Sequence, residues 1–142
     1  MSHIYDDPPS MFNLVQEFQV KVLGNSIPNE PQLLSKKDAM YLVGCVCEEL
    51  DEFMDAQAEG DIAGVADALA DAIYFMMGFA ARMGLPFNKV CSLVHDANMQ
   101  KVIGMTHRGN PADAAKPDGW QDPKLKIKEL LCKGQASKPQ CS

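Results

Sequence analysis

Residues 66–83 have the sequence ADALADAIYFMMGFAARM, and this segment is the strongest indication of the fold class. As a helix it is apolar on most of its circumference, with charges only at Asp67, Asp71 and Arg82. A helix that is apolar nearly all round must be covered on several sides. A chain of 142 residues has few other helices with which to cover it. We therefore predict an all-α, antiparallel four-helix-type bundle that is completed by oligomerisation.

Capping residues and helix breakers divide the rest of the chain. Ser10, Ser35 and Asp61 are placed as N-caps of the first three helices. The predicted helices span about 11–22, 36–58, 62–83, 88–102 and 124–132. Residues 104–123 are rich in Gly, Pro and Asp, which predicts a long loop. No stretch alternates with a period of two, so we expect no sheet.

Length and composition set the class of protein. We expect a single all-α domain over residues 1–142, with a core at about 10–132 and a polar tail at 133–142. The net charge of −6 argues against a nucleic-acid partner, because binding to phosphates needs a basic surface. No apolar run approaches the roughly 18–20 residues that cross a bilayer, so we expect no membrane partner. Five cysteines without framework spacing favour free thiols in a cytoplasmic protein.

The second helix carries the most informative run, Glu48-Glu49-Leu50-Asp51-Glu52. At about 100° per residue, Glu49 and Glu52 lie one turn and about 60° apart, and Glu49 borders the predicted apolar face. Carboxylates at such a boundary are partly desolvated and repel each other, so they bind protons unless a cation neutralises them. The predicted buried side chains of this helix are Ala39, Leu42, Val43, Val46, Leu50 and Phe53.

The third helix offers matching carboxylates at Asp67 and Asp71, which stack on one face at positions i and i+4. Around Asp71 the same strip carries small residues that leave room for something besides protein: Gly64, Ala68 and Gly78. No Lys or Arg occurs between Lys37 and Arg82, so neither helix supplies a local counter-charge. Because all the candidate ligands are oxygens, a hard cation, Mg²⁺ or Mn²⁺, is the expected partner. The candidate ligands are Glu49, Glu52, Asp67 and Asp71.

Two other interpretations of these acidic side chains stay open at this point. Glu48, Asp51 and Asp55 point away from the apolar face, so the set is also compatible with a solvated face that compensates helix dipoles. A di-iron carboxylate bundle requires Glu-x-x-His pairs on two helices. The three histidines, at positions 3, 95 and 107, do not supply those pairs.

Basic and polar residues towards the C-terminus could complement the acidic cluster. Asn98 and Lys101 lie on one stripe of the fourth helix, where Lys101 is either a phosphate contact or a surface residue favoured by the helix dipole. Trp120, the only tryptophan, lies in a polar loop with Lys116. There it either covers an edge of the core or stacks on a base.

These blocks resemble the all-α nucleoside triphosphate pyrophosphohydrolases, the superfamily of MazG, the phosphoribosyl-ATP pyrophosphohydrolases and the dimeric dUTPases. Residues 48–52 are similar to the E-E-x-x-E motif of the superfamily, and residues 65–74 to its second metal helix. Residues 94–101 and 116–123 resemble the N-M-x-K and K-x-x-G-W-x-x-P segments of its phosphoribosyl-ATP pyrophosphohydrolase-like members. One departure is that the Glu of the usual E-x-x-D falls on Ala68, for which Asp67 is the expected substitute.

The resemblance implies Mg²⁺-dependent hydrolysis of a nucleoside triphosphate between its α and β phosphorus atoms, in nucleotide-pool housecleaning. It implies that Glu49, Glu52, Asp67 and Asp71 bind the metal and that Glu48 activates the attacking water. It further implies substrate contacts from Asn98, Lys101, Lys116 and Trp120. It also implies a homodimer or homotetramer, in agreement with the apolar third helix. The alternative is a non-catalytic helical module that binds a metal or a nucleotide for regulation.

Overall fold

The computed structural model describes residues 9–133. Its elements, in chain order, are α1 (Met11–Lys21), α2 (Lys36–Glu59), α3 (Ile62–Arg82), α4 (Phe87–Asn98), β1 (Val102–Gly104), β2 (Asp113–Ala115) and α5 (Lys124–Cys132). The all-α class is confirmed. The prediction of no sheet is wrong, because β1 and β2 form a small antiparallel ribbon. Strands of three residues are too short to show a period of two in the sequence. Of the predicted tail at 133–142, residues 134–142 lie outside the described residues.

The predicted N-caps form. The Ser10 hydroxyl accepts a hydrogen bond from the Asn13 amide at 3.2 Å, and the Ser35 hydroxyl accepts one from the Asp38 amide at 3.0 Å. The Asp61 carboxylate accepts the Ala63 amide at 3.1 Å. Each cap satisfies an N–H group that the first helical turn leaves unpaired.

The chain divides after Phe87 into two compact units. In the first unit α3 packs against both α1 and α2. Its core is built on Phe12, Ala80 and Ala81, which partly buried apolar side chains surround. Gly84 follows α3 with φ +66°, and a Cβ there would lie 2.8 Å from the carbonyl oxygen of Pro28. Only glycine therefore lets the connector before α2 pack against this turn.

The buried face of α2 differs from the prediction. Val43 and Leu50, predicted to be buried, are 61% and 48% exposed, whereas Cys45 and Ala56 are buried. The helix has apolar residues on two sides, and tertiary packing buries the side that also carries Glu49. In α1 the buried residues are Phe12, Val15 and Gln19, while Met11, Leu14 and Val22 are exposed.

Two expectations about α3 and the cysteines also need correction. By length and composition alone, α3 is apolar enough to cross a membrane, although no segment of that length was predicted. Cys45, Cys47 and Cys91 are free thiols as expected, but Cys132 is disulfide-bonded.

In the second unit, α4 ends at Asn98, four residues before the predicted end, and the chain turns into β1. The ribbon pairs Val102 with Ala115 and Gly104 with Asp113. This register places Lys101 and Lys116, which flank the first of these pairs, at the same end of the ribbon.

Candidate active site

Glu49 is the centre of the acidic cluster between α2 and α3. Burial raises the pKa of its carboxyl above the ordinary value, and the negative charges of Glu52, Asp71, Asp67 and Glu48 raise that pKa further. Glu49 itself is half-buried, whereas the other four are exposed. The fold therefore brings the four predicted metal ligands, and Glu48, into electrostatic contact across two helices.

One atom of the cluster has no partner. Oε2 of Glu49 is buried and has no hydrogen-bond partner within residues 9–133. The basic residue at the end of α3 does not reach it, since Arg82 forms its ion pair with Asp38 at 3.3 Å. A buried carboxylate oxygen without a partner is costly, so this atom is the structural sign of a missing positive charge.

The cluster has the donor atoms of a metal site, but its carboxylates are not already arranged around one point as ligands. Within residues 9–133, no three His, Cys, Asp or Glu side chains lie close enough together to form such a set. The donor chemistry nevertheless fits a hard divalent cation, because every group is a carboxylate and one buried oxygen lacks a partner. At the position of the superfamily Glu, Ala68 is buried, whereas Asp67 is exposed beside it.

A cavity of about 540 Å³ opens beside the cluster within the first unit. Glu49 and Asp71 form its acidic edge, and aromatic side chains form much of its wall. The aromatic residues are Phe18, Tyr41, Tyr74, Phe75 and Phe79. The volume and the mixture of aromatic and polar groups are typical of a site for a small organic ligand.

Two amides form the polar part of the cavity wall. Nδ2 of Asn25 donates to Oε1 of Gln19 at 2.8 Å, and Gln19 is only 7% exposed. Gly78 on α3 makes room for this amide, since a Cβ there would lie 2.6 Å from Nε2 of Gln19. The prediction that Gly78 leaves room for a non-protein group is wrong, because the Gln19 amide fills this space.

Apart from Glu49 and Asp71, the cavity residues were not predicted from the sequence, and these include Gln19, Asn25 and Tyr74. A signal was available for Gln19, which follows Phe12 and Val15 at helical spacing on the buried face of α1. A polar side chain in the middle of an apolar face needs a buried partner or a ligand. No comparable signal marks Asn25, because it lies after α1 and reaches the cavity only through tertiary structure.

The second unit holds the predicted substrate-contacting residues. The Lys116 and Lys101 ammonium groups lie 4.5 Å and 5.4 Å from the centroid of the Trp120 ring. The Trp120 indole N–H donates to the carbonyl of Ala97 at 2.8 Å, which fixes the ring against the end of α4. Asn98 is exposed at that end, and its carbonyl accepts the Lys101 amide at 3.0 Å. The structure thus groups Lys101, Lys116 and Trp120 into one cationic patch.

More than half of the chain matches a known protein family. The sequence profile of the phosphoribosyl-ATP pyrophosphohydrolases matches residues 15–98, which are 84 of the 142 residues. The chain belongs to this family. The resemblance predicted from the motifs is confirmed, and membership supports a pyrophosphohydrolase activity on a nucleotide. No curated protein matches the chain.

The matched segment spans the acidic cluster, with Glu48 to Glu52, Asp67 and Asp71, and it ends at Asn98. Lys101, Lys116 and Trp120 lie beyond it. The family assignment therefore rests on the helices that carry the carboxylates and the cavity.

Proposed function

We propose that this protein is a Mg²⁺-dependent nucleoside triphosphate pyrophosphohydrolase. It cleaves the α–β phosphoanhydride bond, releases a nucleoside monophosphate and pyrophosphate, and serves nucleotide-pool housecleaning in the cytoplasm. The observation that carries the proposal is the unpartnered, buried Oε2 of Glu49, which lies among four further carboxylates in a member of a pyrophosphohydrolase family.

Glu49, Glu52, Asp71 and Asp67 are the residues that would hold the metal, Mg²⁺ or Mn²⁺. When bound, such a cation neutralises charge on phosphate oxygens and on the carboxylates themselves. Glu48 is exposed and lies near enough to Glu49 to affect its pKa. We assign to Glu48 the orientation and deprotonation of the attacking water.

The cavity beside the cluster supports binding of the organic part of the nucleotide. Its aromatic walls offer stacking surfaces for a base. The hydrogen bond between Asn25 and Gln19 leaves an amide donor on Gln19 and an amide oxygen on Asn25 for the edge of the base. Because Gln19 is buried, its orientation is fixed before the ligand arrives.

The cationic patch of Lys101 and Lys116 supports a role in binding phosphate groups. Neither lysine has a carboxylate partner among the ion pairs of the described chain. Two ammonium groups on one indole ring repel each other, so an anion between them lowers the energy of the patch. Trp120 positions the lysines, and Asn98 orients the substrate.

We further propose a homo-oligomer, dimer or tetramer, because several large apolar side chains of α2 and α3 are exposed. The negative net charge favours neither nucleic acid nor an acidic membrane surface as a partner. A second candidate function is a non-catalytic, nucleotide-binding module. It is favoured by the lack of a ready-made three-ligand set within residues 9–133.

A substrate panel tests the proposal. Pyrophosphate release is measured for the common nucleoside triphosphates, with Mg²⁺ and with chelator. We expect turnover of at least one nucleotide with Mg²⁺ only, and its loss in Glu49→Gln and Asp71→Asn. Asp51→Asn is the matched control, since its charge is not among those acting on Glu49.

Unchanged turnover in both metal-ligand variants would remove the metal assignment. Calorimetric titration with Mg²⁺ separates the two candidate functions, because the cluster should bind the ion even in the absence of nucleotide. No binding at millimolar Mg²⁺ would favour the non-catalytic module.

A further inference from the structure

Arg82 lies at the opposite end of the cavity from its acidic edge. Among the described residues that line the cavity, Arg82 is the only one with a positive charge. It follows Asp71 by eleven residues on α3, so the two lie on one face of the helix, about 20° around and roughly 16 Å along its axis. The other α3 residues of the wall lie between them: Tyr74, Phe75 and Phe79. A nucleotide with its phosphates at the acidic edge therefore extends its base towards Arg82.

Contacts on two sides hold the Arg82 guanidinium in place. Its Nη2 atom lies 3.3 Å from Oδ1 of Asp38 in an ion pair. The other oxygen of Asp38 accepts a hydrogen bond from the Ser35 hydroxyl at 2.8 Å, which fixes the carboxylate at the start of α2. On the other side, Cζ of Arg82 lies 4.7 Å from the centroid of the Phe79 ring. Because the guanidinium is fixed before a ligand arrives, its remaining N–H groups can discriminate between ligands.

The ion pair also determines which chemical group Arg82 can bind. Asp38 balances the positive charge, so a further anion, such as a phosphate, gains little at this end of the cavity. A guanidinium has five N–H donors and no acceptor, and the ion pair through Nη2 uses only some of them. The remaining donors suit a neutral acceptor such as a carbonyl oxygen. They disfavour an amino group, because that group also presents N–H bonds.

The amides of Gln19 and Asn25 do not by themselves distinguish the common bases. Together they offer one donor and one acceptor to a ligand. Uracil and hypoxanthine carry a carbonyl beside a ring N–H, whereas cytosine and adenine carry an amino group beside an unprotonated ring nitrogen. Both edges match a pair of one donor and one acceptor. Arg82, which can only donate, favours the edge with the carbonyl.

We infer that Arg82 is a specificity-determining residue that selects oxo bases over amino bases. An oxo base carries a carbonyl at the recognised edge, as uracil, thymine, guanine and hypoxanthine do, and an amino base carries an amino group there, as cytosine and adenine do. The inference rests on the proposed function and deepens it, because it names the class of nucleotide that the same site binds.

Matched pairs of uncleavable nucleotides test this selection. The α,β-imido analogues of UTP and CTP differ at the recognised edge of a pyrimidine, and those of ITP and ATP differ at the same edge of a purine. Binding to the full chain is measured by calorimetry with Mg²⁺, so the measurement requires no turnover. We expect the oxo member of at least one pair to bind about ten- to hundred-fold more tightly, as one hydrogen bond from a charged donor implies.

Two substitutions test whether Arg82 is the source of the preference. Arg82→Gln gives the position both a donor and an acceptor, and Arg82→Met gives it neither. Each should lower the affinity for the oxo analogue and leave that for the amino analogue unchanged, so that the preference disappears. Lys21→Met is the matched control, because Lys21 forms its ion pair with Glu17 on α1 and does not line the cavity. Circular dichroism verifies that each variant keeps its helical content.

Three results would overturn the inference. One is equal or tighter binding of the amino analogue by the wild type, a result that needs no variant. Another is an equal loss of affinity for both members of a pair in Arg82→Gln, which is expected of a residue that only holds the fold. The third is no binding of any analogue, which would also contradict the nucleotide site of the proposed function. The first two results leave that function intact, because the substrate panel would still show Mg²⁺-dependent turnover.

Discussion

Asn25 is joined twice to Gln19, although the two residues lie on either side of the end of α1. The Asn25 amide donates to the Gln19 carbonyl at 2.9 Å, and the Asn25 side chain donates to Oε1 of Gln19 at 2.8 Å. The pair fixes the chain after α1 at the wall of the cavity that Glu49 and Asp71 border. In a cavity with aromatic walls, this pair of amides presents hydrogen-bonding groups in a fixed position to a ligand.

Replacing Gln19 with Met keeps the side-chain length and removes both amide functions. We expect the KM for the preferred nucleotide to rise about 3–10-fold, as the loss of one net hydrogen bond implies, while kcat changes less. Steady-state kinetics provide the measurement, and Gln16→Met on the same helix is the control. An equal KM in Gln19→Met and wild type would exclude the amide from base recognition.

Gly78→Ala tests the position of the Gln19 amide by changing the residue against which this amide packs. The added Cβ would lie 2.6 Å from Nε2 of Gln19, so the amide must move. We expect a lower Tm and the KM defect of the Gln19 variant. Gly44→Ala is the matched control, because nothing lies within 4 Å of its Cβ position, and it should stabilise α2 by about 0.5–1 kcal/mol. If thermal denaturation shows the same change in Tm for Gly78→Ala and Gly44→Ala, the close contact between Gly78 and Gln19 is contradicted.

Glu49→Gln should raise the Tm of the metal-free protein while it abolishes turnover. In chelator, the substitution removes a partly buried negative charge that four neighbouring carboxylates repel. Mg²⁺ should raise the Tm of the wild type and leave that of Glu49→Gln unchanged. Thermal denaturation with and without Mg²⁺ checks both statements. A variant less stable than wild type in chelator would show that Glu49 is held by favourable contacts instead.

Trp120 should report anion binding directly, because it is the only tryptophan and two lysine ammonium groups lie over its ring. We expect titration with inorganic pyrophosphate to change the indole emission of the wild type. The response should be lost or at least about ten-fold weaker in affinity in Lys116→Met. Lys89→Met, with an exposed lysine on α4, is the control. The same titration curve for both variants would exclude the cationic patch as an anion site.

The stability of the turn between β1 and β2 should decrease at acid pH, because Asp113 becomes protonated. Hydrogen bonds from Thr106, the Ala114 amide and Arg108 lower the pKa of Asp113 to about 2. Since the folded-state pKa lies below the ordinary value of 3.8, the stabilisation is present above about pH 4 and is lost as the pH falls towards 2. Amide hydrogen exchange of the ribbon measures this loss, and Asp113→Asn should remove its pH dependence.

The helices and their caps were predictable because their signals are local. Ser10, Ser35 and Asp61 each satisfy backbone groups within three residues, so their effect does not depend on distant parts of the chain. The acidic cluster was also predictable, since the spacing of Glu49, Glu52, Asp67 and Asp71 places two carboxylates on each of two successive helices. Helical periodicity, together with the short turn that connects the two helices, was sufficient to predict that these carboxylates lie near each other.

Local signals in the sequence were therefore sufficient to predict the helices, their caps and the carboxylates. Contacts between distant segments were needed to show that Glu49, rather than Val43 or Leu50, lies on the buried side of α2. Such contacts were also needed to show that Gln19 fills the space at Gly78 and that Lys101 and Lys116 share one indole ring. The physical reason is that a helix with apolar residues on two sides has two nearly equivalent faces to bury, and contacts with distant segments select between them.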